Sequence, residues 1–225
     1  MAEGDPVPEH RLSRRELFKQ VTVIGAGAAG AASLSAPPPA AAAAQQPQTL
    51  RALESLTAHE FETVTAMTAR LIPSDAAGPG ALEAHVSTYI DRALNSHYRE
   101  DRDAYTMNLA ALDAYSKATH AAQFAALPPE QQDAVLTALE RNTVARSFSF
   151  SPSAGAFFTM VLRHTQEGMF GDPYYGGNAG FIGWDLLGFP GVKLMFLPAE
   201  QEIDYPIAKA HRSAYSYSMF EQVKR

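Results

Sequence analysis

The sequence predicts an all-α fold: a compact helical domain of about five or more helices, with a long Gly/Pro/aromatic-rich C-terminal loop region. Three observations carry this reading. Apolar residues recur at helical spacing through most of residues 56–168. Prolines and a capping box punctuate that pattern where helices should begin and end. No long stretch alternates apolar and polar residues as a half-buried strand would.

The first helix is announced by Thr57-Ala58-His59-Glu60, a capping box in which the Thr57 side chain accepts from the first turn and Glu60 reaches back. Phe61, Val64, Met67/Thr68 and Leu71 follow at helical spacing, and Pro73 stops the helix. Gly78-Pro79-Gly80 marks a tight turn. Leu82, Val86, Tyr89/Ile90 and Ala93/Leu94 form the apolar stripe of a second helix. A third is expected from Asp101 to Phe124, with Tyr105, Leu109/Leu112, Tyr115 and Ala122 facing inward. Leu127-Pro128-Pro129-Glu130 ends it and starts a fourth, since proline is tolerated in a first turn. Val135, Leu136, Leu139 and Val144 are its apolar face. A fifth runs from about Ser153 to Gly168 and turns Phe157/Phe158, Val161/Leu162 and Thr165 inward.

From Met169 to Leu197 the texture changes. Seven glycines and the only tryptophan, Trp184, fall in this stretch. Glycine permits positive φ and proline fixes φ, so such a segment can be ordered without helix or strand. It can be a lid that closes the helical core with Trp184 inserted, or a surface for a partner, which aromatic side chains suit.

The N-terminus reads differently again. Arg14-Arg15 follows Ser13 and precedes Leu17-Phe18-Lys19; an apolar stretch rich in Gly and Ala runs from Val21 to Ala36. Pro37-Pro38-Pro39 and an alanine run lead to Ala44-Gln45, where an A-x-A pattern suits cleavage. The order of charge, apolar run and small residues is that of a twin-arginine signal peptide over residues 1–44. Residues 45–55 then read as a polar linker and 56–225 as the helical domain. A periplasmic destination follows as an expectation. Gly25-Ala26-Gly27-Ala28-Ala29-Gly30 fits the G-x-G-x-x-G dinucleotide fingerprint, but the helix that should follow meets three prolines, and no βαβ unit surrounds it. It is read as part of the signal.

Composition narrows the function. Hydrophobic residues are 46% and charged residues 19%, a globular balance. Eighteen Lys and Arg face 24 Asp and Glu, for a formal charge of −6. The first 44 residues hold four of each sign, so the remainder carries all of it. An acidic domain without basic clusters is a poor ligand for phosphate backbones, so nucleic acid is excluded as a partner. No apolar run past residue 44 approaches the roughly 20 residues of a membrane-spanning helix. The absence of cysteine excludes disulfides, iron–sulfur ligation, thiol nucleophiles and C-x-x-C-H haem attachment.

Catalytic candidates are scattered. His59-Glu60 lacks the second histidine of H-E-x-x-H, and His85 and His97 lie twelve apart, a spacing of little value for a metal. Asp75, Asp91 and Asp172 have no recognisable partner, and G-x-S-x-G is absent. Asp75 suits a cap or turn after Pro73, and Asp172 an Asx-turn before Pro173. No catalytic, cofactor-binding or metal-binding residue is assigned to this chain.

Two blocks carry a family resemblance. The first is Leu71-Ile72-Pro73-Ser74-Asp75, Gly78-Pro79-Gly80-Ala81 and Tyr89-Ile90-Asp91. The second is Asp172-Pro173-Tyr174-Tyr175-Gly176-Gly177-Asn178, Gly183-Trp184 and Gly188-Phe189-Pro190-Gly191. Together they resemble the gluconate 2-dehydrogenase subunit 3 family over about Leu56 to Leu194. The resemblance implies a non-catalytic small (gamma) subunit of a membrane-associated dehydrogenase of sugars or sugar acids. The large subunit, of the glucose–methanol–choline type, binds FAD and does the chemistry; a multihaem cytochrome c often takes the electrons. It further implies that the small subunit carries the only twin-arginine signal and escorts its folded partner. The second block, Asp172 to Gly191, is then the expected partner interface or structural motif. The alternative is a free-standing periplasmic enzyme acting on sugars through Asp75, Asp172 or a histidine.

Overall fold

A computed structural model describes residues 52–206 and 208–223. The twin-arginine pair Arg14 and Arg15, the cleavage point Ala44-Gln45 and the first part of the expected linker lie outside the described residues. Among the described residues there are six α-helices, several 3₁₀ turns and no strand: α1 (Ala58–Leu71), α2 (Val86–Asn95), α3 (Arg102–His120), α4 (Pro129–Glu140), α5 (Ala154–Phe170) and α6 (Ile182–Leu187). None of the helices is long and apolar enough to cross a membrane.

Helix α5 is the axis of the domain. It packs chiefly against α2 and α4 and also touches α1 and α6. Its buried face is Phe157, Phe158, Val161, Thr165 and Met169, and the core continues through Val64, Met67, Ile90, Leu94, Tyr105, Leu112 and Leu139. Gly168 lets α2 and α5 approach closely, because a Cβ there would lie 2.9 Å from the Tyr89 ring and 3.0 Å from Val86.

The local signals that start helices operate as read. Thr57 Oγ1 accepts from Glu60 N at 3.2 Å, and Glu60 Oε2 accepts from Thr57 N at 2.8 Å. The Glu60 carboxylate is also gripped by Arg102, whose Nη2 donates at 2.7 Å, and by the Thr106 hydroxyl at 3.0 Å. Burial opposes its ionisation, but the hydrogen bonds from Arg102, Thr57 and Thr106 prevail and hold its pKa at about 2. Ahead of α1, buried Asp91 accepts from the backbone N–H groups of Glu54, Ser55 and Leu56 at 2.7–2.9 Å. The end of the stretch read as linker is therefore bound to α2.

Boundaries differ from expectation at four places. Helix α2 begins at Val86, because His85 takes a left-handed φ of 56°, and Leu82 is half exposed instead of continuing the stripe. Helix α3 stops at His120, with Ala121 in the left-handed region at φ 62°, and Phe124 opens a separate 3₁₀ turn. Helix α4 ends at Glu140, so Val144 packs on the core from a loop. The segment after α5 is not free of helix: it contains α6 and two 3₁₀ turns, Pro173–Tyr175 and Ala179–Phe181. Glycine richness concealed α6, which is only six residues long and is preceded by Phe181 and followed by Gly188, both at positive φ.

Candidate functional surface

The Asp172–Gly191 block folds as a cap on the C-terminal end of α5, and Asp172, Asn178 and Trp184 in it each have a structural task. Asp172 forms the anticipated Asx-turn, its Oδ1 accepting from Tyr174 N at 2.9 Å with Pro173 at the next position. Its carboxylate also holds the C-terminal tail: Oδ1 accepts from the Ser213 hydroxyl at 2.7 Å and Oδ2 from Ala214 N at 2.9 Å. Gly176 crosses Arg92 at φ +102°, and at Gly177 a Cβ would lie 2.1 Å from the Gly168 carbonyl oxygen.

Asn178 is the centre of the cap. It is fully buried in the left-handed region, at φ 45°. Its N–H donates to Gly168 O at 2.7 Å, its Nδ2 donates to Gly171 O at 2.8 Å, and its Oδ1 accepts from Gly183 N at 2.8 Å. One amide thus ties the end of α5 to the start of α6, satisfying buried backbone groups that would otherwise be costly. Trp184 is 4% exposed and donates Nε1–H to Phe170 O at 2.8 Å. Phe181 and Phe189 flank its ring at centroid distances of 5.3 and 4.8 Å. Trp184 is therefore a buried side chain of the cap. Gly188 ends α6 at φ +67°. Pro190 O accepts from Ala210 N at 2.7 Å, and Gly191 lies at φ +101° against the Arg212 backbone.

The tail contributes residues that no local pattern announced. Tyr215 stacks on Tyr174 with centroids 3.7 Å apart, and its hydroxyl lies 2.6 Å from that of Tyr175. That hydrogen bond, with burial, pushes the Tyr175 phenol up to about 12. His211 stacks on Phe181 and meets Asp185 at 2.9 Å, where Lys209 also binds at 2.7 Å. These two donors hold the Asp185 carboxyl below its usual range. Pairing across 26 residues of chain at Asp185–His211 and 40 at Tyr175–Tyr215 leaves no spacing signature, and it can be found only from coordinates.

Within the cap, Phe170, Trp184, Leu187, Phe189 and Val192 line an open apolar cleft of about 560 Å³, with Asp172 also in its lining. The Asp172 carboxylate is already engaged by three donors, so the cleft offers packing surface and no unengaged acid or base.

A second polar cluster, also absent from the sequence reading, sits between α2, α3 and α5. Arg163 Nη2 lies 2.9 Å from His164 Nε2; arginine can only donate, so this nitrogen accepts and the proton resides on Nδ1, facing Tyr105 Oη at 2.9 Å. Burial, then the Arg163 charge, lowers the His164 pKa to about 4. The Tyr89 and Tyr98 hydroxyls both donate to Glu167, at 2.8 and 3.0 Å, and burial raises both phenols. Tyr98 stacks on His164 at a centroid distance of 4.2 Å and so joins the two sets of hydrogen bonds around a neutral histidine.

The remaining candidates do not converge. Asp75 Oδ1 accepts from Ala77 N in a surface turn, and His59 pairs with Asp113 at 2.5 Å. His85 is exposed at the start of α2, whereas His97 packs on Tyr98 at a centroid distance of 4.4 Å. Among the described residues, no group of three His, Asp or Glu side chains could hold a metal ion.

The family described as gluconate 2-dehydrogenase subunit 3 matches residues 58–191, from the start of α1 to the end of the cap. No curated protein and no solved structure matches the chain.

Proposed function

The chain belongs to the gluconate 2-dehydrogenase subunit 3 family, and on that premise we propose that it is the non-catalytic small subunit of a periplasmic sugar or sugar-acid dehydrogenase. In this reading the large subunit, of the glucose–methanol–choline type, holds FAD and oxidises the substrate, and a multihaem cytochrome c receives the electrons. The small subunit binds the folded large subunit, carries it through twin-arginine export on the strength of Arg14 and Arg15, and stabilises it afterwards.

The observation that carries the non-catalytic role is what the acids and bases are used for. Asp172 holds a tail, Asp91 holds the lead-in to α1, Glu60 caps a helix, and His164 is buried and neutral. A general acid or base must reach a substrate proton, and each of these groups is committed to the fold. The rigid cap over α5, with an apolar cleft beside it, suits docking to another protein better than turnover of a sugar, whose hydroxyls need several converging polar groups.

Replacing Arg14 and Arg15 together by lysine tests the escort. Both this chain and the large subunit should remain in the cytoplasmic fraction, with dehydrogenase activity lost from the periplasm. A large subunit that still reaches the periplasm would remove the escort role, and a mature chain beginning ahead of Ser13 would remove the cleavable signal.

A further inference from the structure

Beyond Gly191, where the family match ends, the chain makes a closed excursion. Val192 N donates to Arg212 O at 2.8 Å, Ala210 N to Pro190 O at 2.7 Å, and the Tyr217 hydroxyl to Val192 O at 2.7 Å, so the chain that leaves after Val192 returns at Ala210 through one clasped base. The excursion has internal order. Lys193 pairs with Glu200 and lies over the Phe196 ring, and Leu197 N donates to Glu200 at 2.8 Å at the head of the 3₁₀ turn Pro198–Gln201.

Its composition is wrong for an ordinary solvent loop. Leu194, Met195, Phe196 and Leu197 are all exposed, Met195 at 73%; earlier in the chain, ahead of buried Gly191, Leu187 and Phe189 are exposed at the cleft. Isolated exposed apolar side chains are common, but a contiguous run of this kind marks a surface that another body covers.

Charge selects among the bodies. Glu202 and Asp204, later in the same excursion, are exposed carboxylates. The two lysines of the excursion are both engaged by carboxylates, Lys193 by Glu200 and Lys209 by Asp185. An anionic bilayer is disfavoured, since interfacial segments use clusters of free Lys and Arg, whereas Arg212 at the clasp is held over the Tyr217 ring and both lysines are paired. A second copy of this acidic chain would bring like charges together around the contact. A protein face with an apolar centre and a Lys/Arg rim is complementary.

We propose that the exposed apolar side chains Leu186, Leu187 and Phe189, with Leu194–Leu197 of the excursion, form the docking surface for the large dehydrogenase subunit, which meets them with an apolar patch edged by basic side chains. The inference rests on the accessory-subunit reading and adds to it the place and chemistry of the contact.

Met195→Asp and, separately, Leu187→Asp should each weaken pairing with the co-expressed large subunit at least tenfold, with the melting temperature of the mature small subunit unchanged. In the wild-type complex, the amides of residues 186–199 should gain protection from hydrogen exchange on pairing, a readout that needs no variant. Raising salt from low to high ionic strength should weaken pairing severalfold. Unchanged pairing by both variants, or unprotected amides in 186–199, would overturn the docking surface while the accessory role stands. The surface would also be lost if the small subunit floated with phosphatidylglycerol vesicles through Met195, or if it formed a dimer that Met195→Asp abolishes while large-subunit pairing persists. Failure of the wild-type chains to pair at all would end both proposals.

Discussion

At Trp184, burial, an indole hydrogen bond to Phe170 O and two flanking rings combine in one side chain. Truncating a buried aromatic removes its transfer energy and leaves a cavity, at about 3–5 kcal/mol. Trp184→Ala should therefore lower the melting temperature of the mature chain by roughly 6–20 °C, read by thermal unfolding of the chain alone. A melting curve within a degree or two of wild type would mean that the ring is not packed as described. The prominence of Trp184 was legible in the sequence, because a lone tryptophan among seven glycines stands out. Its orientation was not, because exposure depends on Phe181 and Phe189 lying against its ring and on the Phe170 carbonyl meeting its Nε1. Asn178 shows the opposite case: its sequence context resembles any glycine-rich turn, yet its amide joins two helices.

At the scale of elements, Gly183 in α6 separates two effects of opposite sign. Helix propensity alone makes Gly→Ala favourable by about 1 kcal/mol. Here the added Cβ would lie 1.8 Å from the Met169 carbonyl oxygen, backbone that cannot move aside without displacing the end of α5. Gly183→Ala should therefore destabilise the domain, by at least about 1–3 kcal/mol as overpacking does; a stabilised variant in denaturant unfolding would contradict the close approach. Helices α1, α4 and α5 were legible in the sequence because their starts are set locally, by Thr57 with Glu60, by Pro129 and by Ser153. Helix α6 was not: its apolar residues, Ile182, Trp184, Leu186 and Leu187, are too few to establish a period.

For the whole molecule, two buried titratable groups, His164 and Glu60, contribute to a loss of stability as pH falls. His164 has a folded pKa of about 4 against an ordinary 6.5, so the unfolded chain binds its proton first as pH falls. Its contribution is complete above pH 6.5 and is lost between 6.5 and 4, on the order of 3 kcal/mol. The groups facing it are Arg163, Asp101, Glu167, Tyr98, Tyr105 and His97. Glu60 acts lower: held at about 2, it adds stability above pH 4.5 that disappears as pH falls toward 2. Thermal unfolding should show a melting temperature that is flat above pH 6.5 and declines in two stages below it. His164→Asn should flatten the stage between pH 6.5 and 4 while leaving the lower one. An unaltered upper stage in that variant would assign it to another group.

The sequence by itself determined what depends on neighbours along the chain: helical class, the capping box at Thr57, the proline boundaries, the Asx-turn at Asp172 and the family of the 58–191 segment. Those features need only short-range sterics and hydrogen bonds, which a local pattern encodes. Tertiary structure alone decided that Asp172 holds Ser213 and Ala214, that Tyr215 reaches Tyr174 and Tyr175, that Trp184 turns inward, and that Leu194–Leu197 turns outward. Such pairings are chosen by which distant surfaces the packed helices bring within hydrogen-bond or van der Waals range, and sequence separation carries no record of that choice.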